Sequence, residues 1–382
     1  METEPDLLLD KVDIAMSQQS WREAWALLEQ ANPSYHGSDR HLGARRQDFL
    51  MYAAHCMRHK GQFKSAMSAY QELIKELALD DYRIAEALMG KAELLHAQNN
   101  FGEALQTLRA ANYVPRQPQQ LQLRMATTHA HIYSHLEIDK SLKLFEQAQK
   151  SWQGKGNMLS ANLTFWHADA LLIAGLYEQA KPLLQDAKET SQREGCAVTL
   201  ADAMRRMPLL NALTGDRTGA LADLADLANA KELYKASGDR GEIYLHTESG
   251  EVHRSLGKLK EAEIEFERGL WAAREIGDAN RVGHNQLGLY ELSRQAGRAK
   301  TELLEEARRS YHKADSQWGL IHCMISEALN DKSARDKLKE QAEDLAQQSS
   351  FSSFSKELEL MDWICQAPEN LIRKQIHLMN YP

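Results

Sequence analysis

Hydrophobic positions in this chain follow a helical spacing that recurs along the sequence. In residues 250–270, Leu259, Ala262 and Phe266 are three and four positions apart, so they share one face of a predicted helix. The segment before them ends at Gly257, and glycine readily adopts the left-handed conformation that terminates helices. This pattern predicts two antiparallel helices joined by a tight turn, with the small Ala262 allowing their close approach.

The small residue of the second helix marks a period. Along the chain it is Ala24, Ala66, Ala104, Ser141, Ala180, Ala220 and Ala262. Neighbouring members of this series are 37 to 42 residues apart, which predicts a structural unit of about 40 residues. Glycine stands five positions before the small residue in four units, and Asn99 does so in a fifth, as expected for helix-ending turns. The four glycines are Gly61, Gly175, Gly215 and Gly257.

These units resemble the tetratricopeptide repeat, whose second helix carries a large residue, a small one, an aromatic or Leu, and then Ala. A clear example is Phe101, Ala104, Leu108 and Ala111. Seven such units can be identified between about residues 10 and 275. An eighth, around Leu287 and Gly297, is less regular, because no small residue stands five positions after the glycine.

The resemblance implies an all-α fold: a right-handed superhelical solenoid of about seven to eight helix-turn-helix repeats with a C-terminal helical cap. The period of about 40 residues resembles the long-helix branch of the family rather than the usual repeat of about 34. We expect a tetratricopeptide-like array over residues 1–317 and capping helices over residues 318–382, because the repeat phase is lost there and the last apolar face of a solenoid must be covered. The expected contact residues are Leu358, Met361, Trp363 and Ile364.

Two other helical architectures fit the pattern less well. An unrelated helical bundle also places alanines at close-packed positions, but it has no reason to repeat at a fixed interval. A HEAT or armadillo solenoid has a similar period but lacks the order of glycine, aromatic residue and alanine found here.

Composition narrows the class of protein. Of 382 residues, 43% are hydrophobic and only 8 are proline, as is typical of a helical protein with a large core. The net charge of −8 argues against nucleic-acid binding through diffuse positive charge. No apolar run is long enough to cross a membrane, and the acidic start lacks the pattern of a secretion signal. We therefore expect a cytoplasmic protein with no membrane partner.

Sequence motifs give no sign of catalysis. Nucleotide-binding glycine loops, metalloprotease helices and nucleophile elbows are absent from the sequence, so we expect no enzyme and no cofactor. His131 and His135 lie four residues apart on a predicted first helix and therefore face the same way. A metal ion would need a third ligand, and none is spaced along the sequence to supply it, so no metal site is predicted.

The resemblance also indicates a binding surface. In tetratricopeptide proteins the first helices line a concave groove, and the residue after the small first-helix position points into it. That position holds four polar candidates, and three apolar candidates lie nearby. The candidates are His55, Glu93, Asp169, Glu251, Met89, Tyr133 and Phe165. The family's clamp for a C-terminal carboxylate needs Lys, Arg and Asn in the groove, whereas the series here is acidic. The acids favour a basic or amphipathic partner, unless they merely belong to an acidic surface.

Two functions follow from a binding groove without catalytic motifs. The first is a non-catalytic scaffold or adaptor that binds a partner protein or peptide. The second is a peptide-responsive sensor, resembling bacterial tetratricopeptide regulators, whose superhelix compacts when ligand binds. Such regulators usually carry an N-terminal effector domain, whereas the repeats here begin near Trp21, which argues against direct transcriptional control. An enzyme built on the array is the third and least supported class.

Overall fold

All regular structure in the described part of the chain is helical. The computed structural model describes residues 4–35, 43–78, 81–98, 100–152, 157–348 and 355–366. These ranges hold nineteen α-helices and one short 3-10 helix, Lys332–Ala334. None of the helices so described is both long enough and apolar enough to span a membrane. The α-helices are α1 (Glu4–Ser17), α2 (Trp21–Tyr35), α3 (Gly43–His59), α4 (Phe63–Glu76), α5 (Arg83–Ala97), α6 (Phe101–Asn112), α7 (Gln119–Ser134), α8 (Ile138–Ser151), α9 (Met158–Ile173), α10 (Tyr177–Glu194), α11 (Ala197–Leu213), α12 (Arg217–Ser237), α13 (Glu242–Ser255), α14 (Leu259–Ile276), α15 (Ala279–Gln295), α16 (Thr301–Lys313), α17 (Gln317–Asn330), α18 (Arg335–Gln348) and α19 (Ser355–Gln366).

Consecutive helices pack as hairpins. Each odd-numbered helix from α1 to α15 packs against the even-numbered helix that follows it, which gives eight hairpins in the described ranges. Each odd-numbered helix also contacts the next odd-numbered helix. The odd helices therefore form one continuous layer and the even helices a second. The predicted all-α solenoid of seven to eight helix-turn-helix repeats is confirmed.

The small residues that marked the period lie where the helices approach most closely. All seven, including Ser141, are fully buried. Ser141 is accommodated because its hydroxyl donates a 2.7 Å hydrogen bond to the carbonyl of Ala130 on the preceding helix. The four predicted turn glycines have φ between 73° and 82°, in the left-handed region that favours glycine. Asn99, predicted to end a helix in the same way, lies outside the described residues.

The eighth hairpin, α15 with α16, is more regular than its sequence indicated. Ala307 on α16 is fully buried between Leu304 and Tyr311, which repeats the spacing of the other second helices. It stands ten positions after Gly297 rather than five, because the turn before α16 is longer and the helix begins one turn earlier relative to its small residue. For that reason, a spacing of five residues after the glycine does not identify Ala307 as the small residue of this hairpin.

The array closes on itself. Helices α1–α3 pack against α11–α13 and share one hydrophobic core with them. Gln19 donates from Nε2 to Thr199 Oγ1 and accepts from the Thr199 amide at Oε1, both at 2.9 Å. His59 Nδ1 lies 2.8 Å from Asp239 Oδ2, and the amide of Arg240 donates to the His59 carbonyl. We term this contact between α1–α3 and α11–α13 the closure contact.

Three helices follow the eighth hairpin. Helix α17 packs against α15 and α16, and α18 and α19 pack against α17. Their shared core includes Ile321, Ile325, Met361 and Ile364, all fully buried. Leu358 and Trp363 are half-buried against the same core. The division at residues 317 and 318 stays a prediction, and residues 367–382 of the expected cap lie outside the described residues.

Candidate ligand-binding cavity

The closure contact turns the predicted open groove into a cavity. Its volume is about 1100 Å³, and its wall is formed mainly by the odd-numbered helices from α1 to α17. Three tryptophans, Trp21, Trp166 and Trp318, line it together with many charged side chains. The wall is therefore the inner layer of the repeat array, as expected for first helices.

The seven predicted groove residues divide into two groups. His55, Glu93, Asp169 and Glu251 line the cavity, although their role in binding a partner stays a prediction. Met89, Tyr133 and Phe165 do not line it. They are at most 2% exposed and pack between helices.

The angle between neighbouring positions on a helix explains why two of the three apolar candidates, Met89 and Phe165, do not line the cavity. Met89 precedes Glu93 by four residues, and Phe165 precedes Asp169 by four. Four residues rotate a helix by about 400°, so each is turned about 40° from its cavity-facing neighbour. That rotation directs Met89 into the core between α5, α6 and α7 and Phe165 into the core between α9, α10 and α11.

Arginines on α11 pair with the cavity acids. Arg206 Nε lies 2.7 Å from Asp169 Oδ1, and its Nη1 lies 3.3 Å from Glu248 Oε1. Arg205 forms a buried ion pair with Glu248 and donates from Nε to Asp202 and to the Tyr234 hydroxyl, both at 3.0 Å. The acidic wall expected from the sequence is therefore a mixed surface of paired charges.

A second charged cluster joins α3, α5 and α7. Arg58 lies 2.9 Å from Glu93, and Arg124 lies 3.0 Å from Glu86. His55 Nε2 is 3.6 Å from Glu86. Burial by itself would raise the pKa of Glu86, but the nearby His55 imidazole and the Arg124 charge lower it to about 2. Burial likewise opposes ionisation of Glu93, and Arg58 overcomes it and lowers the pKa. Both carboxylates are therefore charged at neutral pH.

Glu251 is held in the same way on α13. Arg254 Nη2 lies 2.6 Å from Glu251 Oε2, and His284 Nε2 lies 3.8 Å from Oε1. Burial would raise the pKa of Glu251, whereas the Arg254 charge and the His284 contact lower it to about 2. Each predicted acid of the cavity thus has a cationic partner in the structure.

These arginines are not among the groove candidates predicted from the sequence, because the polar candidates came from one position on each first helix. Residues three or four positions apart lie on similar but not identical faces of a helix, so several positions on one helix can reach the cavity. Arg205 and Arg206 lie four and three residues before Leu209, another α11 residue that lines the cavity. The same offset of four leads to Met89 on α5 and Phe165 on α9, which face the core, so spacing alone does not single out the arginines.

Three histidines meet on the wall between α5 and α7. His131 and His135 are joined by His96 from the neighbouring hairpin, and their candidate ligand nitrogens all lie within 4.8 Å of one another. Burial, with His135 nearby, lowers the pKa of His96 well below its usual value, and burial does the same for His131. The neutral imidazoles carry lone pairs that can bind a metal ion. No third ligand was predicted from the sequence, and in the structure His96 takes that position.

Comparisons with known proteins find similarity in fold but not in sequence. No protein-family model matches the sequence, and no curated protein matches it. Among solved structures, a Rap protein complexed with competence and sporulation factor superposes with a TM-score of 0.60, 16% identity and 98% coverage of both chains. The Rap conjugation gene regulator of the plasmid pLS20, in complex with the Phr* peptide, gives a TM-score of 0.53 at 13% identity, covering 97% of this chain and 96% of that one. The chain shares the fold of these Rap proteins.

The Rap-like fold is matched almost from end to end. Because nearly all of each chain is covered, the similarity includes both flanks of the closure contact and the helices after α16.

Proposed function

We propose that this protein is a non-catalytic, peptide-responsive regulator that binds a short peptide in its central cavity. The central cavity, lined by tryptophans and paired charges within a Rap-like array, is the observation that carries the proposal. Two solved proteins of this fold are complexes, one with competence and sporulation factor and one with the Phr* peptide. A cytoplasmic location and a capping role for residues 318–382 are part of the same proposal.

The size of the cavity favours a peptide over a folded partner. Pockets for small ligands have volumes of about 300–1000 Å³, and this cavity, at about 1100 Å³, lies just above that range. An extended peptide of a few residues fits such a space. The closure contact narrows the open groove expected of the array, so a short extended peptide fits this space better than a folded domain does. The scaffold function would therefore use the outer surface or an opened array.

The charge of the wall favours a basic or amphipathic peptide. Nine acidic side chains and six arginines line the cavity, so its formal charge is negative even after pairing. A cationic group on the ligand compensates the excess, and apolar side chains pack against the three tryptophans. The acidic groups concerned are Asp13, Glu86, Glu93, Asp169, Asp202, Asp239, Glu248, Glu251 and Asp278, and the arginines are Arg58, Arg124, Arg205, Arg206, Arg240 and Arg281.

Tryptophan fluorescence gives a direct binding assay. Short synthetic peptides that vary in charge and apolar content are titrated into the purified protein, and small-angle scattering is recorded with and without the best binder. We expect saturable binding, tightest for cationic amphipathic peptides. The triple variant Glu93→Gln, Asp169→Asn and Glu251→Gln should lower that affinity at least tenfold. Glu263→Gln, on the exposed face of α14, is the matched control and should leave it unchanged.

Two results would contradict the proposal. The first is the absence of saturable binding by any peptide class. The second is an equal loss of affinity in the cavity variant and the control. Co-purification of a full-length protein that binds regardless of peptide would favour the scaffold function instead.

A further inference from the structure

The three histidines between α5 and α7 form a set of ligands that the peptide-binding role does not require. We propose that His96, His131 and His135 together bind one divalent transition-metal ion, such as Zn²⁺, with a coordination position open to the cavity. This inference stands independently of the proposed function.

The geometry suits a single ion. His131 and His135 are one helical turn apart on α7 and its C-terminal cap, and His96 approaches from the last turn of α5. Zn²⁺ binds imidazole nitrogens at about 2.0–2.1 Å, which separates two ligand nitrogens by about 3.3 Å in a tetrahedron. The candidate nitrogens already lie within 4.8 Å of one another. Small rotations of the imidazole side chains bring them to that spacing.

An unsatisfied atom points to a missing partner. His96 Nε2 is buried and has no hydrogen-bond partner among the described residues. Leaving such an atom unpaired destabilises the folded state, and native structures rarely do so without a reason. A metal ion accepts the nitrogen lone pair and removes the penalty.

The surrounding aromatic rings hold the histidines in place. Trp166 stacks on His131 with ring centroids 3.8 Å apart, and Phe101 stacks on His135 at 5.4 Å. Such packing limits ring motion and so reduces the entropy lost when a metal binds. All three histidines line the cavity, so a fourth position faces the space where a ligand or water can reach it.

The donor set selects the class of metal. Three imidazole nitrogens suit Zn²⁺, Co²⁺, Ni²⁺ or Cu²⁺, whereas Mg²⁺ and Ca²⁺ prefer oxygen ligands. Three protein ligands with an open fourth position is the arrangement of zinc sites that exchange water or ligand.

Cobalt titration tests the site. Chelator-treated full-length protein is titrated with Co²⁺, and the visible absorption of the bound ion is recorded. We expect one equivalent to bind with the intense spectrum of tetrahedral Co²⁺, and Zn²⁺ to displace it. His96→Gln and His135→Gln should each weaken binding at least tenfold, with helicity checked by circular dichroism. His129→Gln, which replaces a histidine of α7 outside the cluster, is the matched control and should bind as the unmodified protein does.

Tryptophan quenching adds a positional readout. Because Trp166 stacks on His131, bound Co²⁺ should quench its fluorescence, and Trp166→Phe should remove that quenched component. Binding by His96→Gln equal to that of the unmodified protein would overturn the inference, as would an equal loss in His129→Gln or no stoichiometric binding at all. Binding of peptides without binding of Co²⁺ would refute the metal site and leave the proposed function supported. Binding of Co²⁺ without binding of any peptide would support the metal site and refute the proposed function.

Discussion

Replacing Gln19 with Ala should open the closure contact without unfolding the helical array. Gln19 lies in the turn between α1 and α2 and caps α11 from across the contact. The Thr199 amide belongs to the first turn of α11, where backbone N–H groups lack partners within the helix. Its partner is Gln19 Oε1 at 2.9 Å, and the Thr199 hydroxyl accepts from Gln19 Nε2 at the same distance.

The expected magnitude follows from these two hydrogen bonds. A typical hydrogen bond contributes about 1 kcal/mol, but a buried donor left without its partner costs about 1–3 kcal/mol. The Thr199 amide falls in the second case, and the loss of the Nε2 bond adds to it. Water entering the vacated space reduces the penalty, so we expect closure to weaken by about 2–3 kcal/mol. Since 1.4 kcal/mol is a factor of ten, the open population rises by a factor of about 30 to 140.

Hydrogen exchange with peptide-level resolution measures this change. Gln19→Ala should speed exchange of the first turn of α11 and of α1 by about that factor, while α14–α16 keep their protection. Small-angle scattering should show a larger radius of gyration. The control is Gln18→Ala, because Gln18 is the exposed neighbour in the same turn. Equal rates of amide hydrogen exchange in α11 for the Gln19→Ala and Gln18→Ala variants would refute this prediction.

Three further predictions concern packing, buried charge and pH. An added Cβ at Gly288 would stand 2.7 Å from the Phe266 ring. Gly288→Ala should therefore lower the free energy of unfolding, measured in urea, by about 1–2 kcal/mol, and adding Phe266→Leu to that variant should restore part of the loss. Arg205→Met should lose about 3–5 kcal/mol, because it leaves buried carboxylates uncompensated, whereas Arg268→Met at an exposed pair should lose under about 1 kcal/mol. Burial and a neighbouring arginine lower the pKa of His59 to about 4, below its ordinary value of about 6.5 in the unfolded chain. The unfolded chain then binds more protons than the folded one. The stabilisation from neutral His59 is therefore greatest above pH 6.5 and is lost as the pH falls from 6.5 to 4, and His59→Gln should flatten that part of a plot of thermal-unfolding temperature against pH.

Local spacing predicted the repeating helix pairs, and the resemblance to tetratricopeptide repeats then implied the solenoid. A small residue every 37 to 42 positions records where two helices of a hairpin touch, and that contact is repeated in each unit. The spacing failed only at Ala307, where a longer turn shifted the small residue relative to Gly297. Four of the seven groove candidates, which the family resemblance suggested, line the cavity, and their role in binding a partner stays a prediction.

Features that depend on distant repeats could not be read in this way. His96 reaches His131 from another hairpin, 35 positions earlier, and no sequence spacing encodes that meeting. The closure contact joins Gln19 to Thr199 across 180 positions. It depends on the small rotation that each repeat adds to the last, summed over six hairpins. The sequence of one unit does not specify such a sum.

The cavity and the closure contact are built from the same helices, and this gives a physical route from ligand to shape. Helix α3 carries His59 at the contact and Arg58 in the cavity, and α11 carries Thr199 at the contact and Arg206 in the cavity. A ligand that touches both helices makes all its contacts only when the array is closed, so it binds the closed form more tightly and raises its population. Linkage makes the effect reciprocal. A cavity ligand should therefore protect the Thr199 amide from exchange, and it should do so by the same factor by which closure strengthens its own binding.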